Sequence, residues 1–147
     1  SKLKFGLMMF LIQRRLFLDD LDIDPDSLEL GGNASVIVHS DADLAYAAER
    51  CVAGGFSYAG QSCISVQRIY VQRSVEEKFL AELLPRVKAL HVGDPLDEKT
   101  DVGPMISEDA AKRAESWIEE AVTAGARLLT GGKRRGAYLD PTVLGET

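Results

Sequence analysis

Two residue types in this chain are capable of nucleophilic chemistry with a hydrolytic second half: a displayed thiol and a nearby carboxylate base. Cys63 lies in the polar stretch Gly60-Gln61-Ser62-Cys63, off any apolar stripe and just ahead of a strand-like run, Val66 to Gln72. A cysteine in a globular chain is by default a small buried hydrophobe. The polar loop around Cys63 favours a presented nucleophile instead. Cys51 sits in a helical pattern beside Val52 and takes the structural reading. Glu29 lies 34 residues before Cys63, between Leu28 and Leu30 and next to Gly31-Gly32. Strand alternation points its side chain away from the leucines. The glycines let the backbone come close to a ligand. A partly buried carboxylate there has the character of a general base.

Other chemistries are less well served. His39 and His91 have no partner at metal-ligand spacing, so no metal site is expected. No glycine-rich phosphate loop follows a strand. Lys133-Arg134-Arg135 reads as a solvated turn. A net charge of −6 argues against nucleic acid and against an anionic membrane surface as partners. Two cysteines make no disulfide framework, so a reducing, cytoplasmic setting is the simpler reading.

The elements that must position Cys63 follow from periodicity. Residues 33–39 read as a short buried strand centred on Val36-Ile37-Val38. Ser40 or Asp41 is the expected cap of a helix whose stripe is Leu44, Ala48, Val52 and Phe56. Gly54-Gly55 weakens its end and permits a close backbone approach. After the second strand, Ser74-Val75-Glu76-Glu77 has the form of a capping box. The helix it opens carries Val75, Phe79, Leu80, Leu83, Leu84 and Val87 on one face, and Pro85 is expected to kink or shorten it. Residues 97–104 read as a surface loop. Ser107 caps a third helix with Ala110, Ala114, Trp117, Ile118, Ala121 and Val122 inward, stopped by Gly125. A short strand at 127–130, a basic turn and an extended run at 138–144 complete the order. Alternating strands and helices predict an α/β fold with a parallel sheet.

Residues 1–27 differ in composition. A basic start precedes the apolar run Phe5 to Ile12, which is too short to span a bilayer. Five aspartates between Asp19 and Asp26 follow, rather than a small-residue cleavage site. This segment is expected to pack on the domain or to be foreign to its fold.

At its two chemical motifs the chain resembles the aldehyde dehydrogenase superfamily. Glu29-Leu30-Gly31-Gly32-Asn33 is similar to the family's Glu-Leu-Gly-Gly signature, and Gly60-Gln61-Ser62-Cys63 to its Gly-Gln-x-Cys signature. Asp41-Ala42-Asp43-Leu44, Val92-Gly93-Asp94-Pro95, Asp101-Val102-Gly103-Pro104 and Pro141-Thr142-Val143 follow in the family's order. The resemblance covers residues 28–147. It implies a truncated, Rossmann-like catalytic domain that oxidises a small-molecule aldehyde with NAD or NADP. Cys63 would attack the aldehyde to give a thiohemiacetal, and loss of hydride would leave a thioester. Glu29 would activate water to release the acid. The backbone N–H of Cys63 would donate to the oxyanion, and Leu30 and Gly31 would lie near the nicotinamide. The resemblance also implies a homo-oligomer. Family members are longer, with a cofactor domain ahead of Glu-Leu-Gly-Gly that residues 1–27 do not match. The alternative is therefore a catalytically silent core that folds and associates but binds no cofactor.

Overall fold

In the computed structural model, which describes residues 7–9 and 32–146, α/β order is realised as a mixed sheet with helices packed against it. The strands are β1 (Leu7–Met9), β2 (Ala34–Val38), β3 (Val66–Val71), β4 (Arg127–Thr130), β5 (Arg134–Arg135), β6 (Tyr138–Leu139) and β7 (Val143–Gly145). The helices are α1 (Leu44–Phe56), α2 (Glu76–Lys88) and α3 (Glu108–Thr123). The larger sheet has the order β2-β3-β1-β7-β4, and β5 and β6 form a separate hairpin. The expected parallel pairing is that of β2 with β3, joined through α1. β1 pairs antiparallel with both β3 and β7, and β4 antiparallel with β7.

The β2–α1–β3 unit positions Cys63, and its core explains its order. Val38 of β2, Ile69 and Val71 of β3, and Ala48, Cys51, Val52 and Phe56 of α1 share one buried cluster with Phe79, Leu83 and Val87 of α2. Phe79 and Leu83 are fully enclosed. Each such side chain contributes about 2–3 kcal/mol of hydrophobic stabilisation. Gly54 is required where α1 crosses the start of β3. A Cβ there would lie 2.9 Å from Val66 Cγ2, so the close approach anticipated at Gly54-Gly55 is made to that side chain.

The helix starts differ from the sequence reading in two places. Asp43, not Ser40 or Asp41, caps α1 by accepting from the Tyr46 N–H at 3.1 Å. Asp41 is engaged elsewhere, its Oδ1 lying 2.8 Å from His39 Nδ1, and the Ser40 backbone N–H donates to Gln72 Oε1. The capping box at Ser74 does not form. Arg73–Val75 is a short 3-10 turn, so Val75 occupies the cap position of α2 and no side chain caps it. Pro85 neither breaks nor ends α2 at once; the helix continues to Lys88.

The third helix begins as expected, with Ser107 Oγ accepting from the Ala110 N–H at 3.1 Å. It buries Ala110, Ala111, Ala114 and Ile118, while Val122 is exposed rather than inward. Gly125, at φ +111°, follows the last turn, and its N–H donates to the Val122 carbonyl. That left-handed position is one that a side chain disfavours. The 97–104 loop is largely exposed but not loose. Val102 is buried and bridges Val92, and its N–H donates to the His91 carbonyl at 3.0 Å.

Arg134 is not part of a solvated turn. Its Nε lies 2.6 Å from Glu115 Oε2 and its Nη1 3.6 Å from Glu108 Oε1, which fastens the β5–β6 hairpin to α3. The Glu115 hydrogen bond, then the charges of Glu115 and Glu108, raise the guanidinium pKa further.

The two serines give a direct test of the cap assignments. Ser107→Ala should lower stability by about 1 kcal/mol, the usual worth of an N-cap. Ser74→Ala should change it by less than about 0.5 kcal/mol, as for a surface substitution. Urea unfolding of both variants measures this, and an equal loss in the two would restore the capping box at Ser74.

Candidate functional site

The Cys63 loop, residues 57–65, connects the end of α1 to the start of β3. Its first part does not continue the helix. Tyr58 (φ 53°), Ala59 (φ 50°) and Gly60 (φ 70°) are all left-handed. For Tyr58 and Ala59 this costs about 1–2 kcal/mol each, so surrounding contacts must hold it. Ala59 packs against both hydrophobic clusters of the molecule. The Gln61 N–H donates to the Tyr58 carbonyl at 3.1 Å, and Gln61 Nε2 adds a second bond to the same oxygen at 3.3 Å.

Its second part is closed by a turn around Cys63 and Ile64, where the Ser65 N–H donates to the Ser62 carbonyl at 3.0 Å. Ser65 is 1% exposed, and its Oγ donates to the Gly55 carbonyl at 3.2 Å. Cys63 is half-buried at the crest of this loop, and Ile64 beside it is 79% exposed.

The structure separates the two cysteines as the sequence does. Cys51 is 2% exposed in the core of α1, and burial pushes its thiol pKa from 9.0 up to about 11. That environment holds the protonated, unreactive form.

Of the remaining candidates, Glu29, Leu30 and Gly31 lie outside the described residues. The described chain resumes at Gly32, whose N–H donates to the Cys63 carbonyl at 3.3 Å. The end of the Glu-Leu-Gly-Gly stretch and the cysteine loop are therefore in contact. Asn33 secures this end, with its side-chain nitrogen 3.2 Å from Gln67 Oε1 and its oxygen 2.9 Å from Arg68 Nη2 in the orientation that satisfies all three groups. Sequence reasoning missed Asn33, Gln67 and Ser65 as supports of the site. Their polar side chains beside two glycine-containing motifs were the available signal.

A dinucleotide calls for backbone N–H groups aimed at its pyrophosphate, most often at a helix N-terminus. The α-helices among the described residues open on carboxylates: Asp43 before α1, Glu76 and Glu77 in α2, Glu108 and Asp109 in α3. Those charges repel a pyrophosphate, so the described residues do not fit that part of the cofactor. No group of three or more metal-ligating side chains occurs among the described residues. Nor is any described helix long and apolar enough to cross a membrane.

A family model described as the aldehyde dehydrogenase family matches residues 19–147. The chain is 51% identical over 118 residues to a 3-sulfolactaldehyde dehydrogenase of Priestia aryabhattai, covering 80% of this chain and 25% of that protein. It is 45% identical over 126 residues to a succinate-semialdehyde dehydrogenase (NADP(+)) of Escherichia coli, covering 84% and 26%. Among solved structures, it superposes with a TM-score of 0.76 and 48% identity on a glyceraldehyde-3-phosphate dehydrogenase of Methanocaldococcus jannaschii complexed with NADP. That superposition covers 79% of this chain and 25% of the other. The chain thus spans about a quarter of the length of the relatives it matches.

Near neutral pH, iodoacetamide should label Cys63 and leave Cys51 unmodified in the folded protein. Raised from 9.0 to about 11, the Cys51 thiol carries about a hundredfold less thiolate than an ordinary cysteine thiol, before any barrier to access. Peptide mapping reads the two sites, and equal labelling would contradict the assignment. Burial also makes Cys51 a pH-dependent element of stability. Below pH 9.0 the thiol is protonated whether folded or unfolded. Above it the unfolded chain ionises first, so stability should fall as pH rises to about 11. The loss is about 2 kcal/mol. Denaturation of Cys51→Ala beside the parent across that window should show this component removed.

Proposed function

The chain belongs to the aldehyde dehydrogenase family, and from that premise we propose that residues 28–147 carry the nucleophile and the base of an enzyme that oxidises a small aldehyde to a carboxylic acid. The observation that carries this reading is the Gly32 N–H to Cys63 carbonyl hydrogen bond. It joins the last glycine of the Glu-Leu-Gly-Gly motif to the loop that carries Cys63.

In this reading Cys63 Sγ attacks the aldehyde carbon. The S–C bond forms, the carbonyl π pair moves to oxygen, and the backbone N–H of Cys63 donates to that oxyanion. NAD or NADP supplies the hydride acceptor for the reaction, and Leu30 and Gly31 are the positions in this chain assigned to lie near it. Glu29 takes the proton from the water that later releases the acid. Cys51 has no part, because its thiol is enclosed. The relatives named above act on sulfolactaldehyde and succinate semialdehyde, as their names state. We assign this chain to the same broad class, aldehydes, without choosing among them. Self-association belongs to the same proposal, since Ile37, Tyr58, Ile64 and Ile106 are each more than 70% exposed. Exposed apolar side chains of this kind are available for contact with another copy of the chain.

A second reading concerns the chain as it stands. The carboxylates at the helix starts favour a core that folds and associates without binding a dinucleotide.

Two measurements on the purified chain separate the readings. Saturating aldehyde should slow alkylation of Cys63, because a thiohemiacetal removes the thiolate; no protection by any aldehyde in a panel would count against Cys63 as the nucleophile. NAD(P)H absorbance should stay flat if the second reading holds. A rise that Cys63→Ala abolishes would reject the second reading and place a working cofactor site in this chain.

A further inference from the structure

The geometry points to Gln61 as a positioning residue for Cys63, acting by tying the cysteine loop to the chain that leads into α3. This rests on the reading of Cys63 as the nucleophile. Gln61 stands two residues before Cys63, on the strained side of the loop. Its Oε1 accepts from the Ile106 N–H at 3.1 Å, across 45 residues of sequence. Its Nε2 donates to the Tyr58 carbonyl at 3.3 Å. One side chain therefore bonds to both sides of the junction.

The anchor at the far side is firm. Met105, next to Ile106, is 6% exposed, and its N–H donates to the Ala137 carbonyl at 2.9 Å. Ser107, on the other side, caps α3. Ile106 itself turns its side chain outward, 88% exposed, so what it gives the loop is its backbone N–H. Beside the hydrogen bond, Ala59 packs against the cluster formed by Met105, Ala110, Ala111 and Ala114. Ala59 and Gln61 thus clamp the loop onto the α3 lobe, and Ser65 clamps it onto α1 through Gly55. Left-handed Tyr58 and Ala59 would relax toward ordinary backbone without such restraints. Cys63 lies between the two clamps and takes its position from both.

The test compares thiol reagents of different size on the full chain. In the parent, a small methanethiosulfonate should react with half-buried Cys63 much faster than a bulky aromatic disulfide. Gln61→Met keeps the size of the side chain and removes both hydrogen bonds. It should raise the ratio of bulky to small reagent rates at Cys63 roughly three- to tenfold, the worth of one such bond. Gln61→Glu keeps an acceptor for the Ile106 N–H and should restore most of the parent's discrimination. Cys51 serves as the internal control and should stay unlabelled in all three proteins. An unchanged ratio in Gln61→Met overturns the proposal. So does a Gln61→Glu protein that behaves like Gln61→Met, since the tie to Ile106 would then not be the agent. Labelling of Cys51 together with Cys63 in both variants would also overturn it, by showing a general structural role. These rates report loop position and not turnover. A failure here leaves the aldehyde-protection result standing, and a failure of that result leaves this one readable.

Discussion

A buried hydroxyl closes the loop on which the proposed chemistry depends. α1 must end before β3 can begin, and ending a helix leaves its last carbonyls without intrahelical donors. The Gly55 carbonyl is one of these, and it lies inside the protein. Ser65 Oγ, itself enclosed, supplies the missing donor. An unsatisfied buried carbonyl would cost about 1–3 kcal/mol, so this bond fixes where β3 starts relative to the end of α1. Everything between the two, including Cys63, is held to a closed loop with little slack.

The loop spans two cores. Its base rests on the cluster built by β2, β3, α1 and α2, and Ala59 reaches the smaller cluster under α3. In the proposed reaction, a thiol that meets a carbonyl carbon gains from being held from two directions, because misplacement of reacting atoms by about 1 Å can cost a hundredfold in rate. The left-handed backbone at Tyr58 and Ala59 follows from that double attachment: the chain turns back on itself there to touch both clusters. The α3 lobe is in turn fastened by Arg134, whose bond to Glu115 anchors the hairpin carrying Tyr138 and Leu139.

Much of this was legible in the sequence where the signal was local. The apolar periodicity of α1, α2 and α3, the β-branched run of β2, the cap at Ser107 and the stop at Gly125 depend on neighbours within a few residues, although β2 is half-exposed and not buried as expected, with Ile37 turned outward and only Val38 enclosed. The contrast between Cys51 and Cys63 was legible for the same reason: one lies on a helical stripe and the other in a polar loop. Caps with competing partners were not. Ser40, Asp41 and Asp43 all suit the start of α1, and only the fold shows that His39 holds the Asp41 carboxylate while Asp43 accepts from the Tyr46 N–H. Ser74 failed as a cap because the chain tightens into a 3-10 turn before α2. Arg134 and Gln61 find their partners 19 and 45 residues away, which no local pattern announces. Family signatures drew attention to Glu29 and Gly31 as well as Cys63. The described residues reach that stretch only at Gly32, through its bond to the Cys63 carbonyl.

The most direct test of the account is to watch the carbonyl carbon itself. An aldehyde labelled with carbon-13 at the carbonyl, mixed with the folded chain, should show its carbon resonance move from the carbonyl region to that of a tetrahedral thiohemiacetal. Cys63→Ala should abolish the new signal, and Cys51→Ala should leave it intact. A signal that survives Cys63→Ala, or that fails to form with any aldehyde tried, would contradict the assignment of Cys63 as the nucleophile around which this loop is built.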